Sequence, residues 1–304
     1  MHKTGVEIIY QDDGIIVINK PAGVSVTKDR SGKEQLTDIL AGQIDKQLCG
    51  QLRLIHRLDK DTSGVMILAK NIEAQTQFTS YFEKREIKKT YLALVSGIVR
   101  GREGTINAPL LPDPKEPQLM RITSKKGKEA VTDWRLLADF GLLSLLAVTP
   151  LTGRTHQIRV HLASIGLPVA VDPLYGSSRP LLLSDFKSDY RLGIDQTERP
   201  LIERLTLHAY QIELPVPLCH SERSFCHSER SEESVIPAKP VLSGLVLSAI
   251  EGVEGAGIQP NCFIAQLDKK FTATLKMLTK YNRLGPAAFI NPDDFSKILN
   301  GDAL

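Results

Sequence analysis

Short apolar runs separated by turn residues dominate the chain. Runs at residues 6–10 and 15–19 flank Gln-Asp-Asp-Gly, whose Asp-Gly pair is a hairpin signal, and residues 20–24 break the second run. The continuous apolar run at 65–69 is typical of a buried strand. Further strands are predicted at 90–95, 130–137, 142–148, 207–214 and 262–267.

Helical patterns are fewer. Residues 36–47 have helical spacing, with Thr37 as the expected cap. Asn71 is a suitable cap for a helix that reaches about residue 85, and residues 155–165 predict a helix that ends at Gly166. Because helices do not alternate regularly with strands, the pattern predicts an α+β fold with a largely antiparallel sheet.

Composition narrows the class of protein. The 304 residues suffice for one large domain or two small ones, and the net charge of +3 permits an RNA partner without arguing for one. Four unevenly spaced cysteines do not indicate a disulfide framework. The absence of a signal-like or membrane-length apolar run predicts a cytoplasmic protein without membrane contact. No glycine-rich phosphate loop supports nucleotide binding.

A polar repeat interrupts the second half of the chain. Cys-His-Ser-Glu-Arg at 219–223 recurs at 226–230 and has neither helical nor strand periodicity. Its Cys-His pairs are zinc-ligand types, but adjacent ligands fit a tetrahedral site poorly and a duplicated repeat explains the pairing. We therefore predict no metal site and interpret about 215–260 as a low-complexity insertion in a hairpin loop.

The densest group of charged residues is at 54–65. Here Asp59 lies among basic residues and is followed by a Thr-Ser-Gly turn and a strand. A carboxylate held at the edge of a strand is well placed for a substrate cleft. Charge pattern alone, however, is more typical of a solvated, salt-bridged loop.

A second group lies at 151–162. If the helix begins at Thr155, His156 and Arg159 share one face, and Arg154 lies at the helix entrance, where backbone N–H groups favour a phosphate. The buried face of this helix would consist of Ile158, Leu162 and Ile165. An ordinary charged surface helix has the same pattern.

A third group surrounds Tyr91 in the predicted strand at 90–95. A tyrosine in such a strand is usually a core residue. The neighbouring basic cluster, which is more often a solvated face than an RNA site, consists of Lys84, Arg85, Lys88 and Lys89.

Taken together, these stretches resemble the RluA-type pseudouridine synthases. The similarity is carried by His-Arg-Leu-Asp-Lys-Asp-Thr-Ser-Gly at 56–64, Lys-Thr-Tyr-Leu-Ala-Leu-Val at 89–95, Gly-Arg-Thr-His-Gln-Ile-Arg-Val-His at 153–161 and Asp-Pro-Leu-Tyr-Gly at 172–176. Asn-Lys-Pro-Ala-Gly at 19–23 and Leu-His-Ala at 207–209 are similar too. The resemblance runs from about residue 6 to 214 and resumes near 262.

The resemblance implies an isomerase that converts uridine to pseudouridine in RNA without cofactor or metal. Asp59 matches the family's catalytic carboxylate, which attacks the base or the sugar or acts as a base. Arg159 matches the arginine that pairs with this carboxylate and favours its charged form. Tyr91 matches the tyrosine that stacks on the target base and whose hydroxyl helps to move a proton.

The resemblance also implies how RNA is bound. The target uridine must be flipped out of its stack, and Arg57 is expected to fill the vacated space. Arg154 and His156 are expected to contact phosphate or base. The predicted partner is structured RNA, with ribosomal RNA favoured over transfer RNA, and the protein is expected to act as a monomer.

The implied fold is one catalytic domain over residues 1–304, interrupted by the insertion. It has a bent, mixed and mostly antiparallel sheet, flanking helices and a central RNA-binding cleft around Asp59. A late helix is expected at 271–281 and a peripheral tail at 282–304. The small RNA-binding module that many relatives carry in front is expected to be absent.

Three other functions are open at this point. A relative that has lost catalysis would bind RNA only. A zinc-dependent interaction protein would use the Cys-His repeat. An RNA nuclease would need paired metal-binding carboxylates, which the sequence does not show.

Overall fold

The structure, a computed structural model, describes residues 5–27, 35–124, 126–187, 189–191, 196–215, 261–281 and 291–304. The chain divides into two compact units, Met1–Pro215 with Cys262–Leu304, and Val216–Asn261. Almost all of the second unit, including the Cys-His repeat, lies outside the described residues. The single domain with an insertion therefore stays a prediction.

Short strands make up most of the regular structure. The described strands are β1 (Glu7–Gln11), β2 (Ile15–Lys20), β3 (Arg53–Leu54), β4 (Ser63–Ala69), β5 (Lys88–Ser96), β6 (Glu103–Asn107), β7 (Leu110–Pro112), β8 (Met120–Ile122), β9 (Val131–Asp139), β10 (Leu143–Pro150), β11 (Leu207–Glu213) and β12 (Cys262–Ile264). The described α-helices are α1 (Leu36–Ala41), α2 (Lys46–Gln51), α3 (Ile72–Glu83), α4 (Gln157–Ser164), α5 (Lys269–Tyr281) and α6 (Pro292–Asn300).

One large sheet organises these elements. Its strand order is β1-β2-β4-β11-β5-β10-β9-β6, with β3 added to β4 and β12 to β11, while β7 and β8 pair separately. Among the described strands, β4 and β11 form the parallel pair and the other pairs are antiparallel. The predicted α+β class with a mixed, mostly antiparallel sheet is confirmed.

The centre of the sheet joins segments that are far apart in sequence. Gly64 of β4 lies opposite Ala209 of β11, and Ala209 lies opposite Tyr91 of β5. Gly64 has φ +119°, and a Cβ added there would lie 2.1 Å from the Ala209 carbonyl oxygen, so glycine is required for this close approach. In the same pair of strands, Ser63 Oγ lies 2.9 Å from His208 Nδ1.

The last part of the chain differs from the predicted peripheral tail. Helix α6 follows an Asn291 cap and buries Phe295 and Ile298 in the same core cluster as Phe271 of α5. The backbone N–H of Asn291 donates to the Leu137 carbonyl of β9 at 2.9 Å. The apolar pair three residues apart provides a face that α6 has to bury against the sheet.

The helix predicted at 36–47 is two short helices. Helix α1 begins after Gln35, which forms a capping box with Asp38, so the predicted cap Thr37 is wrong. The helix ends at Gly42. Asp45 caps α2 by accepting a hydrogen bond from the backbone N–H of Gln47 at 2.8 Å. The helical spacing of residues 36–47 is continuous, so the pattern does not indicate this second cap.

Other predicted boundaries hold to different degrees. Asn71 caps α3 through a 2.8 Å hydrogen bond from the Ala74 N–H, as predicted. Strand β12 pairs with β11, but it is shorter than the predicted strand at 262–267. Helix α4 begins at 157 rather than 155, and Ile165, expected on its buried face, is 43% exposed.

Candidate active site

Asp59 lies in the loop between β3 and β4, and this loop is fixed through its backbone. The Thr62 N–H donates to the Asp59 carbonyl at 3.2 Å. The fully buried Lys20 ammonium donates to the Lys60 carbonyl at 2.9 Å and to two carbonyls in the segment 21–24. Burial lowers the pKa of Lys20 to about 8, against the opposing effect of Asp61 and Asp59.

The start of the same loop is anchored by His56. Its Nε2 accepts a hydrogen bond from the Ile67 N–H of β4 at 3.0 Å, and its ring stacks on Phe82 with centroids 4.6 Å apart. Burial, with a contribution from Lys89, lowers the pKa of His56 to about 3. His56 is therefore a neutral structural residue at pH 7, a role that the sequence motif did not reveal.

Arg159 lies on the first turn of α4, with its side chain 3% exposed. Its Nη1 is 3.8 Å from Asp59 Oδ2, so the expected pair is present as a long contact. Its shortest contacts are to Asp172, which it meets through two hydrogen bonds of 2.8 and 2.6 Å. The geometry is the two-pronged arrangement that arginine and carboxylate favour. The sequence does not indicate that Asp172 holds Arg159.

The Asp172 carboxylate is in turn held by backbone N–H groups of the turn that follows it. Its Oδ1 accepts hydrogen bonds from the N–H groups of Leu174 and Tyr175 at 2.9 and 3.3 Å. The preceding Val171 has φ +57°, which is unusual for a branched side chain. The side chain of Asp172 is fully buried. This carboxylate therefore fixes the direction of the Arg159 guanidinium before any substrate is bound.

The turn before α4 is held by Gln157. Its Oε1 accepts hydrogen bonds from the Thr152 hydroxyl at 2.7 Å and from the Arg154 N–H at 3.0 Å, and its Nε2 donates to the Val131 carbonyl at 2.9 Å. Arg154 Nε donates to the Glu129 carbonyl at 3.0 Å. These contacts hold the half-buried Arg154 side chain at the wall of the cleft.

The predicted helix face shared by His156 and Arg159 requires both residues to lie within α4. His156 instead precedes the helix as its N-terminal cap residue, with φ +54°. Its Nδ1 is 2.9 Å from the Tyr175 hydroxyl, and its Nε2 is 3.9 Å from Asp59 Oδ2. Burial lowers the pKa of His156, although the charge of Asp59 acts in the opposite direction. His156 therefore faces the carboxylate as well as the cleft.

Tyr91 reaches the cleft from β5, where it lies opposite Val148 of β10 and Ala209 of β11. It is half-buried, not the fully buried core residue that a strand tyrosine usually is. Burial and the charge of Asp59 raise the pKa of the Tyr91 hydroxyl above its ordinary value. The hydroxyl is therefore protonated at neutral pH and available as a donor.

All six predicted site residues line one cleft of about 1030 Å³: Arg57, Asp59, Tyr91, Arg154, His156 and Arg159. The cleft wall also carries Arg85, Lys88 and Lys89, while its acidic lining residues are Asp59 and Glu83. The structure therefore brings together side chains from three distant segments in a basic cleft with one half-buried carboxylate. Such a surface attracts a polyanion.

Among the residues that the structure describes, no group of three or more His, Cys, Asp or Glu side chains is arranged to hold a metal ion. No helix in those parts of the chain is long and apolar enough to cross a membrane.

The chain is similar to known proteins over most of this fold. A model of the family described as RNA pseudouridylate synthase matches residues 14–164. An RNA pseudouridine synthase of Zymomonas mobilis, described as uncharacterized, is 37% identical over 213 residues, which cover 68% of this chain and 86% of that protein. The chain belongs to the RNA pseudouridine synthase family.

Other members of this family match over a smaller share of their length. An uncharacterized RNA pseudouridine synthase of Bacillus subtilis is 40% identical over 58% of this chain and 59% of its own. Ribosomal large subunit pseudouridine synthase D of Nitrosomonas europaea is 37% identical over 69% of this chain and 58% of its own. The chain thus spans less than two thirds of the length of several of the curated relatives that it matches.

Solved structures of the family share the fold. Human RNA pseudouridylate synthase domain containing 1 is 27% identical, with a TM-score of 0.55, over 71% of this chain and 80% of that one. Human RNA pseudouridylate synthase domain containing 4 is 28% identical, with a TM-score of 0.51, over 69% and 84%. The resemblance to RluA-type pseudouridine synthases and the mixed, mostly antiparallel sheet that it implies are therefore confirmed.

Proposed function

We propose that this chain isomerises uridine to pseudouridine in structured RNA, with Asp59 as the catalytic carboxylate. The observation that carries the proposal is the meeting of Asp59, Tyr91 and Arg159 at one basic cleft. These three residues come from three separate sequence motifs, and membership in the pseudouridine synthase family supplies the reaction class.

The surroundings of Asp59 suit a reactive carboxylate. Its side chain is 21% exposed, so substrate can reach it, and the Arg159 guanidinium lies 3.8 Å from its Oδ2. In the proposed reaction Asp59 attacks the base ring or the anomeric carbon, or acts as a base, while the uracil–sugar bond breaks and a carbon–carbon link replaces it. The net change is an isomerisation, so no cofactor or metal enters the proposal.

Tyr91 is proposed to act on the base itself. Its ring has one side in the cleft and can stack on uracil, and its protonated hydroxyl can donate a proton or hydrogen bond. This role requires the target nucleotide to leave the RNA stack. The exposed Arg57, two residues before Asp59, is proposed to fill the space that the flipped uridine vacates.

The basic wall of the cleft is proposed to bind the RNA backbone. Arg154 lies on this wall, and Arg85, Lys88 and Lys89 extend it. Arg85 and Lys88 already form exposed ion pairs with Glu129 and Glu213, at 3.2 and 2.9 Å. Since exposed pairs contribute little, phosphate groups can replace them at small cost.

Ribosomal RNA is the favoured substrate, with transfer RNA as the alternative. The support is the name of several relatives, such as ribosomal large subunit pseudouridine synthase D of Xylella fastidiosa, which is 41% identical over 58% of this chain. Pseudouridine mapping of total RNA from cells with and without the gene tests this choice. A missing site in transfer RNA alone would refute it. A cytoplasmic location and a monomeric state stay predictions from the sequence.

The test of catalysis is release of tritium from carbon 5 of labelled uridine in total cellular RNA. Wild-type protein should release tritium, and Asp59→Asn should lower the single-turnover rate by more than about a thousandfold. RNA binding should persist, because asparagine keeps the shape of the side chain. The matched control is Glu83→Gln, which neutralises the other carboxylate of the cleft and should keep the rate.

Two outcomes would contradict the proposal. Wild-type protein that binds RNA without releasing tritium from any RNA fraction would indicate the non-catalytic RNA-binding relative. An Asp59→Asn variant with a rate above about a hundredth of wild type would remove Asp59 from its role.

A further inference from the structure

Two nitrogen donors approach the same oxygen of Asp59. Arg159 Nη1 lies 3.8 Å and His156 Nε2 lies 3.9 Å from Oδ2. Both distances are longer than a direct hydrogen bond, so these contacts are electrostatic, and the Arg159 contact is attractive because guanidinium is always charged. Whether His156 attracts or repels Asp59 depends on whether Nε2 carries a proton or a lone pair.

The hydrogen bonds on the other side of the His156 ring decide this point. The backbone N–H of Met120 donates to the Tyr175 hydroxyl oxygen at 2.8 Å. An amide nitrogen cannot accept, so the hydroxyl proton of Tyr175 is free to point to His156 Nδ1, 2.9 Å away. A neutral imidazole that accepts at Nδ1 carries its proton on Nε2.

We propose that His156 is a positioning residue for Asp59, in which the Tyr175 hydroxyl holds the imidazole in the Nε2–H form and the Nε2–H points at Oδ2. The inference rests on the proposed role of Asp59 as the catalytic carboxylate. It assigns His156 a partner within the protein instead of the phosphate or base contact expected from the sequence.

The other neutral tautomer of His156, with its proton on Nδ1, is disfavoured by the contacts of both ring nitrogens. With the proton on Nδ1, the Tyr175 oxygen would face two donors and its own proton would lose the His156 acceptor. The Nε2 lone pair would then face the carboxylate. Both effects are unfavourable in a half-buried site.

The neutral form of His156 suits the chemistry of the neighbouring carboxylate. Four charged groups influence the ring: Asp59, Arg159, Asp172 and Arg57. Burial is the largest influence and lowers the pKa of His156, so the ring is neutral at pH 7. A neutral N–H orients Asp59 without adding a second full cation, which would weaken the carboxylate as nucleophile or base.

The contacts from His156 and Arg159 also select which Asp59 oxygen faces the substrate. Because both contacts use Oδ2, the other oxygen, Oδ1, is the one presented to uridine. The His156 side chain is 14% exposed, which leaves little surface for an RNA contact. The left-handed backbone of His156, at φ +54°, directs its side chain from the helix entrance towards Asp59. Such uncommon backbone conformations concentrate at functional sites.

The first test is the tautomer of His156 in the intact protein. Nitrogen-15 NMR of histidine-labelled wild type at pH 7, with His156→Gln to assign the signal, should show a protonated Nε2 and an unprotonated Nδ1. An Nδ1–H tautomer, or a fully protonated ring at pH 7, would overturn the proposal. This measurement does not require activity, so it stands even if the proposed function fails.

The second test compares His156→Gln with His156→Leu. Both side chains are unbranched at Cβ and meet similar strain in the left-handed backbone, but only glutamine places an N–H near the position of Nε2. We expect His156→Leu to lower the single-turnover rate at least about tenfold, as for a lost contact to a charged group, and His156→Gln to restore most of it.

The RNA dissociation constant separates positioning from substrate contact. For a positioning residue it should be the same in wild type and both variants. Weaker RNA binding with an unchanged single-turnover rate in His156→Leu would show that His156 contacts RNA and would refute the proposal. Equal rates in both variants would also refute it, because the N–H would then contribute nothing.

Discussion

Acidification should destabilise the fold through His208, which lies at the centre of the sheet. This residue is 1% exposed, and its ring is 2.9 Å from Ser63 Oγ and 2.8 Å from the Ala265 carbonyl oxygen. Nε2 donates to the carbonyl, so Nδ1 accepts from the Ser63 hydroxyl and the ring is neutral. Burial lowers the pKa of His208 from 6.5 to about 4.

The sign and size of the effect follow from linkage. Between pH 6.5 and 4 the unfolded chain binds a proton that folded His208 does not, so the stability present above pH 6.5 is lost as the pH falls. At pH 5 the loss is about 2 kcal/mol, at about 1.4 kcal/mol per pH unit. That is a substantial part of the ~5–15 kcal/mol that stabilises a typical domain.

Urea unfolding at pH 7.5 and pH 5 measures this loss in wild type and in His208→Gln. Glutamine keeps a donor and an acceptor but does not titrate, so the variant should lose about 2 kcal/mol less than wild type between the two pH values. Ser63→Ala is the control, because it removes a hydrogen-bond partner and leaves the buried histidine. It should retain the pH dependence.

The contributions of other histidines cancel in this comparison. His56, whose pKa is lowered to about 3, titrates in the same direction in wild type and variant. An equal loss of stability in wild type and His208→Gln would therefore refute the reasoning, whatever the absolute stability of the variant.

Three further predictions concern the cleft. Tyr91→Phe should retain RNA affinity, because the ring remains, and slow single-turnover chemistry by roughly a hundredfold, which rapid-quench assays would measure. Asp172→Asn should lower the unfolding free energy by ~3–5 kcal/mol in urea titration, since it leaves the buried Arg159 with only the long contact to Asp59. Arg154→Ala should weaken RNA binding and reduce the slope of log affinity against log salt by about one, as seen by filter binding over a salt series.

Each of these has a result that would contradict it. Weakened RNA binding with unchanged chemistry in Tyr91→Phe would assign the hydroxyl to binding. Full stability of Asp172→Asn would mean that Arg159 finds another partner. An unchanged salt slope in Arg154→Ala would exclude a phosphate contact.

Sequence reasoning succeeded where the signal is local. Runs of branched apolar residues located β2 and β4 because a buried strand needs little else, and Asn71 located α3 because its cap contact is three residues away. The candidate site was found because Asp59, Tyr91 and Arg159 each lie in a contiguous motif.

The sequence did not predict contacts between residues that are far apart along the chain. Asp172 follows Arg159 by thirteen residues across a helix and a turn, and nothing local indicates that the two side chains meet. The left-handed His156 shortened α4 because its ring is held by Tyr175, nineteen residues later. Helix α6 was missed because its apolar pair, Phe295 and Ile298, is too short a pattern to predict packing against the core.

The position of β11 between β4 and β5 has a consequence for biosynthesis. During translation the Asp59 loop and Tyr91 leave the ribosome more than a hundred residues before the strand that joins them. Until then, β4 and β5 cannot be bridged and each presents an unpaired edge, which is a template for wrong pairing between chains. Nascent chains that stop before residue 207 should therefore aggregate and lack an assembled cleft, and the cleft should form only after β11 has been synthesised.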